Sequence, residues 1–484
     1  MRTVLWRAGA APESGSRGSG RLLQTLLVAV ALSSCTPATP PSLLLFVLDT
    51  TRRDAVSAYG EWANTTPTLD ALAADGLRYA HAYAQAPWTL PSHATLFTGL
   101  LPAEHGVNWR RTMASDDLVT LAEVLADAGY ETAAFSENPW VGPAANLVQG
   151  FEHYARIRPG PTGLEEALSA WLAGRRSQRP IFLFVNVLDA HYPYRGGGNA
   201  RFLPPEVGLL AALRFPQDVE DYLCTARRRR AALRVLRGLY LGDVSGADAK
   251  LGRVLELLRD ADAARSWIRV VTSDHGEHFG EHSLVSHQFS VREGVLRVPL
   301  VVHGLPDVRP AVIQEPVQLA DVMPSLLHWA GVPAPAGLRS RVLPSVADAE
   351  LPPRAIVAEF AEPEAPALGT ESDFSRKARR RWRAVRVHCE PEDRVFGAMR
   401  ALVRYPMKLV WFERHPPQLY DLSQDDGEQR DLAAERPRLL EELVAELDRV
   451  VEDAARVAPG VPPPTPMDAD TLRELEALGY LEAP

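Results

Sequence analysis

The residues with the most chemistry to offer fall at the ends of apolar runs. Leu43–Leu48 is continuously apolar and stops at Asp49, Ile181–Leu188 stops at Asp189-Ala190-His191, and Ile268–Thr272 leads into Ser273-Asp274-His275, with His287 beyond. Such runs predict strands buried on both faces of a parallel sheet, and ligands gather at the carboxyl ends of such strands. A fourth stretch, Trp88-Thr89-Leu90-Pro91-Ser92-His93, is followed by Ala94, Leu96 and Phe97, a pattern suited to a buried helix with Pro91 in its first turn. Thr89 at that position faces free backbone N–H groups and the positive end of the helix dipole, surroundings that favour phosphate or sulfate. Taken alone, a threonine there reads first as an N-cap. As a nucleophile it needs a metal or a base, because its hydroxyl is inert by itself. The oxygen and imidazole of Asp274-His275 beside Asp49 suit a divalent cation of the magnesium, manganese, calcium or zinc group.

The elements that must position these groups alternate between strand and helix. Asn64–Tyr79 contains a short amphipathic helix closing at Gly76. Ser115 and Asp116 open a second, with Leu118, Leu121, Val124 and Leu125 on one side and Gly129 as its stop. Glu131–Ser136 reads as a strand, Tyr240–Leu258 as a long helix, Val298–Val302 as a strand and Val317–Ala330 as a helix. Gly196–Arg230 is irregular and ends in an arginine run, the composition of an inserted loop or lid. From about Pro333 the character changes to proline-rich linkers. Arg383–Val387 and Met399–Phe412 follow as edge-like strands, then a closing amphipathic helix over Pro437–Val457, and no repeat is present.

With 46% apolar and 23% charged residues in 484, the chain has an ordinary globular composition and the length for two or three units. A net charge of −9 argues against general nucleic-acid binding, and the runs Arg227–Arg230 and Arg376–Arg381 read as solvated loops. The first segment is an address. Arg2, Arg7, Arg17 and Arg21 precede Leu22–Leu32, an apolar run too short to span a bilayer but suited to a signal peptide. Leu32-Ser33-Ser34-Cys35 looks like a bacterial lipobox, which implies a lipid anchor on Cys35 and an exported, cell-envelope protein; a plain secretory signal is the alternative. Cys224 and Cys389 then either pair in one disulfide or stay as free thiols, and both remain open.

Trp88–Gly106 resembles the signature of the sulfatase family, within the alkaline-phosphatase superfamily. Thr89-Leu90-Pro91-Ser92-His93 and Thr98-Gly99 take the places of Cys/Ser-x-Pro-Ser-Arg and Thr-Gly. Leu43–Gly60 is similar to the family's opening strand and loop, Asp189–Tyr194 to its Asp-x-His-x-Pro-Tyr segment, and Ser273–Glu277 to its second metal-binding segment. Gln418–Leu432 is similar to its C-terminal antiparallel sheet, and Leu472–Leu481 to the tail of bacterial members. The resemblance implies an α/β fold with a mostly parallel central sheet flanked by helices over 43–335, after a signal peptide at 1–35 and a linker at 36–42, and a small antiparallel-sheet subdomain over 336–484. It implies one divalent metal ion held by Asp49, Thr89, Asp274 and His275. His191 takes the place of a histidine that contacts the ester group, as the acid for the leaving oxygen or as an anion contact, and His287 falls near the place of a group on the anion. A second metal on Asp189, His191 and His287 is conceivable, as in two-metal relatives. His278 and His282 read as loop residues.

Three departures shape the expected function. Thr50 replaces the second Asp that many sulfatases carry, and Thr89 replaces the Cys or Ser that they oxidise to formylglycine. Threonine cannot make that aldehyde, and His93 stands where the oxidising machinery reads an arginine. Phosphoester chemistry through Thr89 is therefore favoured, as hydrolysis or as transfer to an alcohol. A true sulfuric ester hydrolase and an inactive anion-binding envelope protein are the alternatives. Cys35→Ser is expected to shift the protein from membrane to soluble fractions; unchanged membrane association would contradict the anchor.

Overall fold

Every residue from Ser42 to Leu48 is buried, and this run is the central strand β1 (Ser42–Leu48). The computed structural model describes residues 40–60, 64–198, 200–214, 230–287, 290–347, 352–361, 397–460, 467–478 and 480. Residues from Pro40 onward form one packed unit. The leader with Cys35, most of the linker, Cys224, Cys389, the strand anticipated at 383–387, nearly all of the run 227–230 and the whole of 376–381 lie outside the described residues.

The main sheet has eight strands. With β2 (Leu77–Tyr79), β3 (Glu131–Ser136), β4 (His153–Arg156), β5 (Ile181–Val187), β6 (Trp267–Thr272), β7 (Leu300–His303) and β8 (Ala311–Ile313), the order is β8-β2-β7-β6-β1-β5-β3-β4. Strand β1 pairs in parallel with β5 and β6, with Phe46 opposite both Val185 and Val271. Only β7 runs against its neighbours β6 and β2, so the sheet is mostly parallel. Strand alternation divides the core in two. Leu43, Leu45 and Val47 pack with Leu90, Ala94, Leu96 and Phe97 of the helix Thr89–Thr98. Leu44, Phe46 and Leu48 face Ala247, Leu251, Val254 and Leu258 of the long helix Arg230–Ala261.

A four-stranded antiparallel sheet, β9 (Ile356–Phe360), β10 (Met399–Arg404), β11 (Met407–Phe412) and β12 (Gln418–Asp421), lies beyond. One of its faces holds Leu402, Leu409 and Leu419 against Leu443 and Leu447 of the helix Pro437–Ala455. Ala401, Val403 and Val410 join the main core on the other side. A buried ion cluster ties the two regions: Lys408 Nζ reaches Glu293 Oε1 at 2.8 Å and Glu428 Oε1 at 3.1 Å.

Several elements differ from the sequence reading. The helix expected from Ser115 begins at Leu121, because Thr120 and Glu123 form a reciprocal capping box. Val298–Val302 divides at Pro299, its first half pairing with Ala82–Tyr83 and its second becoming β7. Val317–Ala330 opens with a two-residue strand and a 3₁₀ turn, and its α-helix runs over Val322–Trp329 with Pro324 in the first turn, where a missing N–H costs nothing. Met399–Phe412 is a hairpin turning at Tyr405-Pro406, and both its strands are interior rather than edge strands. Gly196–Arg230 contains a 3₁₀ turn at Gly196–Gly198 and a helix at Leu209–Leu213.

The loop after β5 is seated on the long helix by a close approach of glycines. A Cβ on Gly242 would lie 2.3 Å from the Gly196 carbonyl oxygen. Gly242→Ala gains about 1 kcal/mol of helix propensity, but the overlap is with backbone and cannot relax by side-chain rotation. We expect a net loss of about 1–3 kcal/mol, read as a lowered urea midpoint; an unchanged or raised midpoint would contradict this packing.

Candidate active site

The helix Thr89–Thr98 is buried along its whole length and stops at Gly99, whose left-handed φ of 68° only glycine adopts readily. Its N-cap position is held by Trp88, with no side chain capping it, so Thr89 is the first helical residue and its hydroxyl is not a cap. Thr89 Oγ1 instead lies 3.2 Å from Asn138 Nδ2, 3.3 Å from Tyr480 Oη and 3.4 Å from His275 Nε2. One turn on, His93 donates from Nδ1 to the Thr89 carbonyl at 2.9 Å and presents Nε2 to Asn186 Nδ2 at 3.4 Å. It therefore fixes the backbone under Thr89. Trp88 stacks on Trp109 at 4.2 Å between centroids.

Asp49 and Asp274 come from the carboxyl ends of β1 and β6, neighbours in the sheet, so their carboxylates converge. Asp49 Oδ2 accepts from Asn138 Nδ2 at 2.8 Å and Asn186 Nδ2 at 3.0 Å, and Oδ1 accepts from the Thr50 hydroxyl at 2.9 Å. Asp274 Oδ1 accepts from the backbone N–H groups of Thr50 and His275, both at 3.0 Å. Thr50 makes both contacts from a left-handed φ of 59°, a region a β-branched residue enters at a cost of about 1–3 kcal/mol and that recurs at functional sites. Where many sulfatases have a second Asp, this chain has a strained residue that ties the two carboxylates together.

The donor set fits a cation. Asp274 Oδ2 is buried and has no hydrogen-bond partner among the described residues. Ligand atoms of Asp49, Asp274 and His275 all lie within 4.8 Å of one another, and all three residues are fully buried. Burial, with Asp274 as a second negative neighbour, raises the Asp49 carboxyl, and burial pushes Asp274 up to about 6. Burial, and then His287, lower His275 to about 3, so its ring is neutral at physiological pH. Its Nδ1–H donates to the Gly276 carbonyl at 3.0 Å, leaving the Nε2 lone pair turned into the cluster. Two buried carboxylates and a neutral imidazole make a donor set that a divalent ion would neutralise.

Both remaining histidines arrive at the same place. His191 donates from Nδ1 to the Tyr192 carbonyl at 2.6 Å and meets Tyr480 Oη at 3.0 Å through Nε2. The His287 ring lies over His275, centroids 4.3 Å apart, and 5.4 Å from His191. Its Nδ1 is 3.4 Å from both oxygens of Glu277, a carboxyl raised by burial that also accepts from the Tyr194 hydroxyl at 2.9 Å. Asp189 does not join them. Its carboxylate pairs with Lys250 Nζ at 2.7 Å, and Lys250 also reaches Glu137 at 2.6 Å, so the second metal site considered from the sequence is not assembled. His278 belongs to a two-residue strand rather than a loop and bonds Ser290 Oγ at 2.8 Å; His282 sits in a 3₁₀ turn.

Asn138, Asn186, Glu277 and Tyr480 were not anticipated. Asn138 carried a usable signal, since it lies two residues past the carboxyl end of β3, the same rule that picked out Asp49. Tyr480 carried none as a site residue, because its contacts span 391 residues to Thr89 and 289 to His191.

The chain is similar to known proteins of one family. Residues 41–332 match the family model described as Sulfatase. Human arylsulfatase A is 28% identical over 349 residues, covering 64% of this chain and 68% of that protein. Chicken (Gallus gallus) arylsulfatase K is 24% identical and covers 90% of this chain and 87% of its own. Among solved structures, a 2-O GAG sulfatase superposes with a TM-score of 0.65 at 20% identity, covering 86% of this chain and 92% of its own. The phosphonate monoester hydrolase of Agrobacterium radiobacter gives 0.64 at 21%, covering 86% and 96%.

Metal binding requires the ionised form of Asp274, which releases its proton at about 6. Because Asp49, also raised by burial, must be ionised as well, calorimetric titration with Mn²⁺ is expected to give an affinity that falls at least roughly tenfold per unit as the pH drops below about 6. Asp274→Ala is expected to abolish binding. Full metal occupancy in that variant would place the site elsewhere.

Proposed function

Because the chain belongs to the sulfatase family, a family of ester hydrolases in the alkaline-phosphatase superfamily, we propose that it cleaves phosphoesters with Thr89 as the nucleophile. The observation that carries this reading is the place of the Thr89 hydroxyl, free of any capping duty and within 3.4 Å of His275 Nε2 in the cluster that suits a cation. A divalent ion held by Asp49, Asp274, His275 and the Thr89 oxygen supplies positive charge that lowers the proton affinity of that hydroxyl and offsets the charge of the ester.

The chain's own groups do the rest. Asn138 donates to both Thr89 and Asp49 and fixes the direction of the nucleophile's lone pairs. His93 holds the Thr89 carbonyl from within the helix, which makes it a positioning residue rather than an anion contact. His287, set by Glu277, faces the side where the anion binds, and His191 gives the proton that the leaving oxygen needs. Thr89 forms a bond to phosphorus as the leaving oxygen departs with its electron pair, and water or an alcohol then takes the group from Thr89.

Sulfate esters are the second reading, favoured by the names of the relatives, which include arylsulfatases and a structure in complex with the substrate D-glucosamine-2-N,6-O-disulfate. A methyl on the carbon that bears the hydroxyl argues against it, since no aldehyde can form there. Export belongs to the same proposal through the leader at 1–35, and no described helix is long and apolar enough to cross a membrane.

A panel of nitrophenyl phosphate monoesters, diesters and sulfates separates the two. Phosphoesters are expected to turn over at least 100-fold faster than the sulfate. Thr89→Ala is expected to lose about 10³-fold or more in kcat while keeping its metal, and Thr89→Ser to retain part of the activity. Efficient turnover by Thr89→Ala would overturn the assignment of the nucleophile, and faster turnover of the sulfate would overturn the substrate class.

A further inference from the structure

The tail brings one more hydroxyl to the reacting atoms. Asp468 caps the helix Ala469–Ala477, accepting from the N–H groups of Asp470 and Thr471. Leu475 is buried in the main core, and Glu474 pairs with Arg156 of β4. These anchors hold Tyr480 with its ring edge-on to Trp140 at 5.9 Å and 5.5 Å from His191, only 1% exposed. Its hydroxyl stands between Thr89 Oγ1 at 3.3 Å and His191 Nε2 at 3.0 Å.

The partners fix the direction of these bonds. A carbonyl oxygen only accepts, so His191 Nδ1, 2.6 Å from the Tyr192 carbonyl, carries the hydrogen of the neutral ring. His191 Nε2 is then an acceptor, and the Tyr480 O–H donates to it. The Tyr480 oxygen is left to accept, and Thr89, which already receives an N–H from Asn138 and whose other acceptor, His275 Nε2, is taken up when a cation is bound, donates to it. The route runs one way, from the nucleophile to His191.

We propose that Tyr480 is a catalytic residue whose hydroxyl passes the Thr89 proton to His191 as Thr89 attacks. The proposal rests on Thr89 being the nucleophile. The Thr89 Oγ1–H bond breaks and its proton goes to Tyr480 Oη, while the Tyr480 proton goes to His191 Nε2. Thr89 Oγ1 bonds to the ester's central atom, and the leaving oxygen departs with its electron pair and takes the proton from His191 Nε2. Tyr480 ends as it began. The active site is on this account incomplete without the chain's last helix.

The test uses full-length, metal-loaded protein and whichever nitrophenyl ester the wild type turns over, so a sulfate preference would sink the substrate reading without touching this one. Tyr480→Phe keeps the ring and removes the oxygen. It is expected to lower kcat about 100-fold, with KM within about twofold and metal content and melting temperature unchanged. Combined with His191→Gln, it is expected to be no slower than the slower single variant, because both interrupt one route. In protein labelled with ¹⁵N-histidine, His191 is expected to be the Nδ1-protonated tautomer, a readout that needs no turnover. Wild-type kcat in Tyr480→Phe, multiplying losses in the double variant, or a proton on Nε2 would each overturn the proposal. So would a faster Tyr480→Phe enzyme, which would mean that the tail merely occupies space the substrate needs.

Discussion

Two carboxylates that the fold buries side by side are the constraint on which the rest depends. Asp49 and Asp274 are both without solvent exposure, and the paired strands β1 and β6 leave them no choice but to converge. An uncompensated pair of this kind costs several kcal/mol. The surroundings meet part of that cost with donors: Asn138, Asn186 and the Thr50 hydroxyl on Asp49, and two backbone N–H groups on Asp274. What remains is the orphaned Asp274 oxygen and the neutral His275 ring, which define a place for positive charge.

The other parts of the structure are arranged around that place. The Thr89 helix is held against one face of β1 and the long helix against the other, so the position of Thr89 is set by core packing rather than by a loop. The site draws on distant parts of the chain, from Asp49 to Tyr480, and the antiparallel region is joined to the main sheet through the buried Lys408 cluster as well as through apolar contacts. Lys250, by contrast, pairs with Asp189 and keeps its carboxylate out of the site.

Much of this was legible in the sequence, for identifiable reasons. A strand buried on both faces shows as an unbroken apolar run, which is why β1 and β5 were found within a residue of their ends and why Asp49 and the Asp274-His275 pair fall together at strand ends. The fold also brings Thr89 to His275 and sets the His191 and His287 rings 5.4 Å apart. Short elements were harder. The hairpin over Met399–Phe412 reads as one strand until Pro406 is recognised as its turn, and Val317–Gln318 pairs as a strand because Ala82–Tyr83 lies beside it, a partner no local pattern announces. Asn138 and Tyr480 were missed for a different reason. Neither amide nor phenol marks a site by type, and only the fold brings them to Thr89.

The central claim is that Thr89 takes the ester's group in a covalent step. Intact-mass spectrometry of enzyme quenched during turnover of a phosphodiester, followed by peptide mapping, reads this directly. The account predicts an adduct carrying the phosphoryl group on Thr89 and none in Thr89→Ala. Turnover at full rate with no adduct on Thr89 at any quench time, or an adduct on another residue, would contradict it.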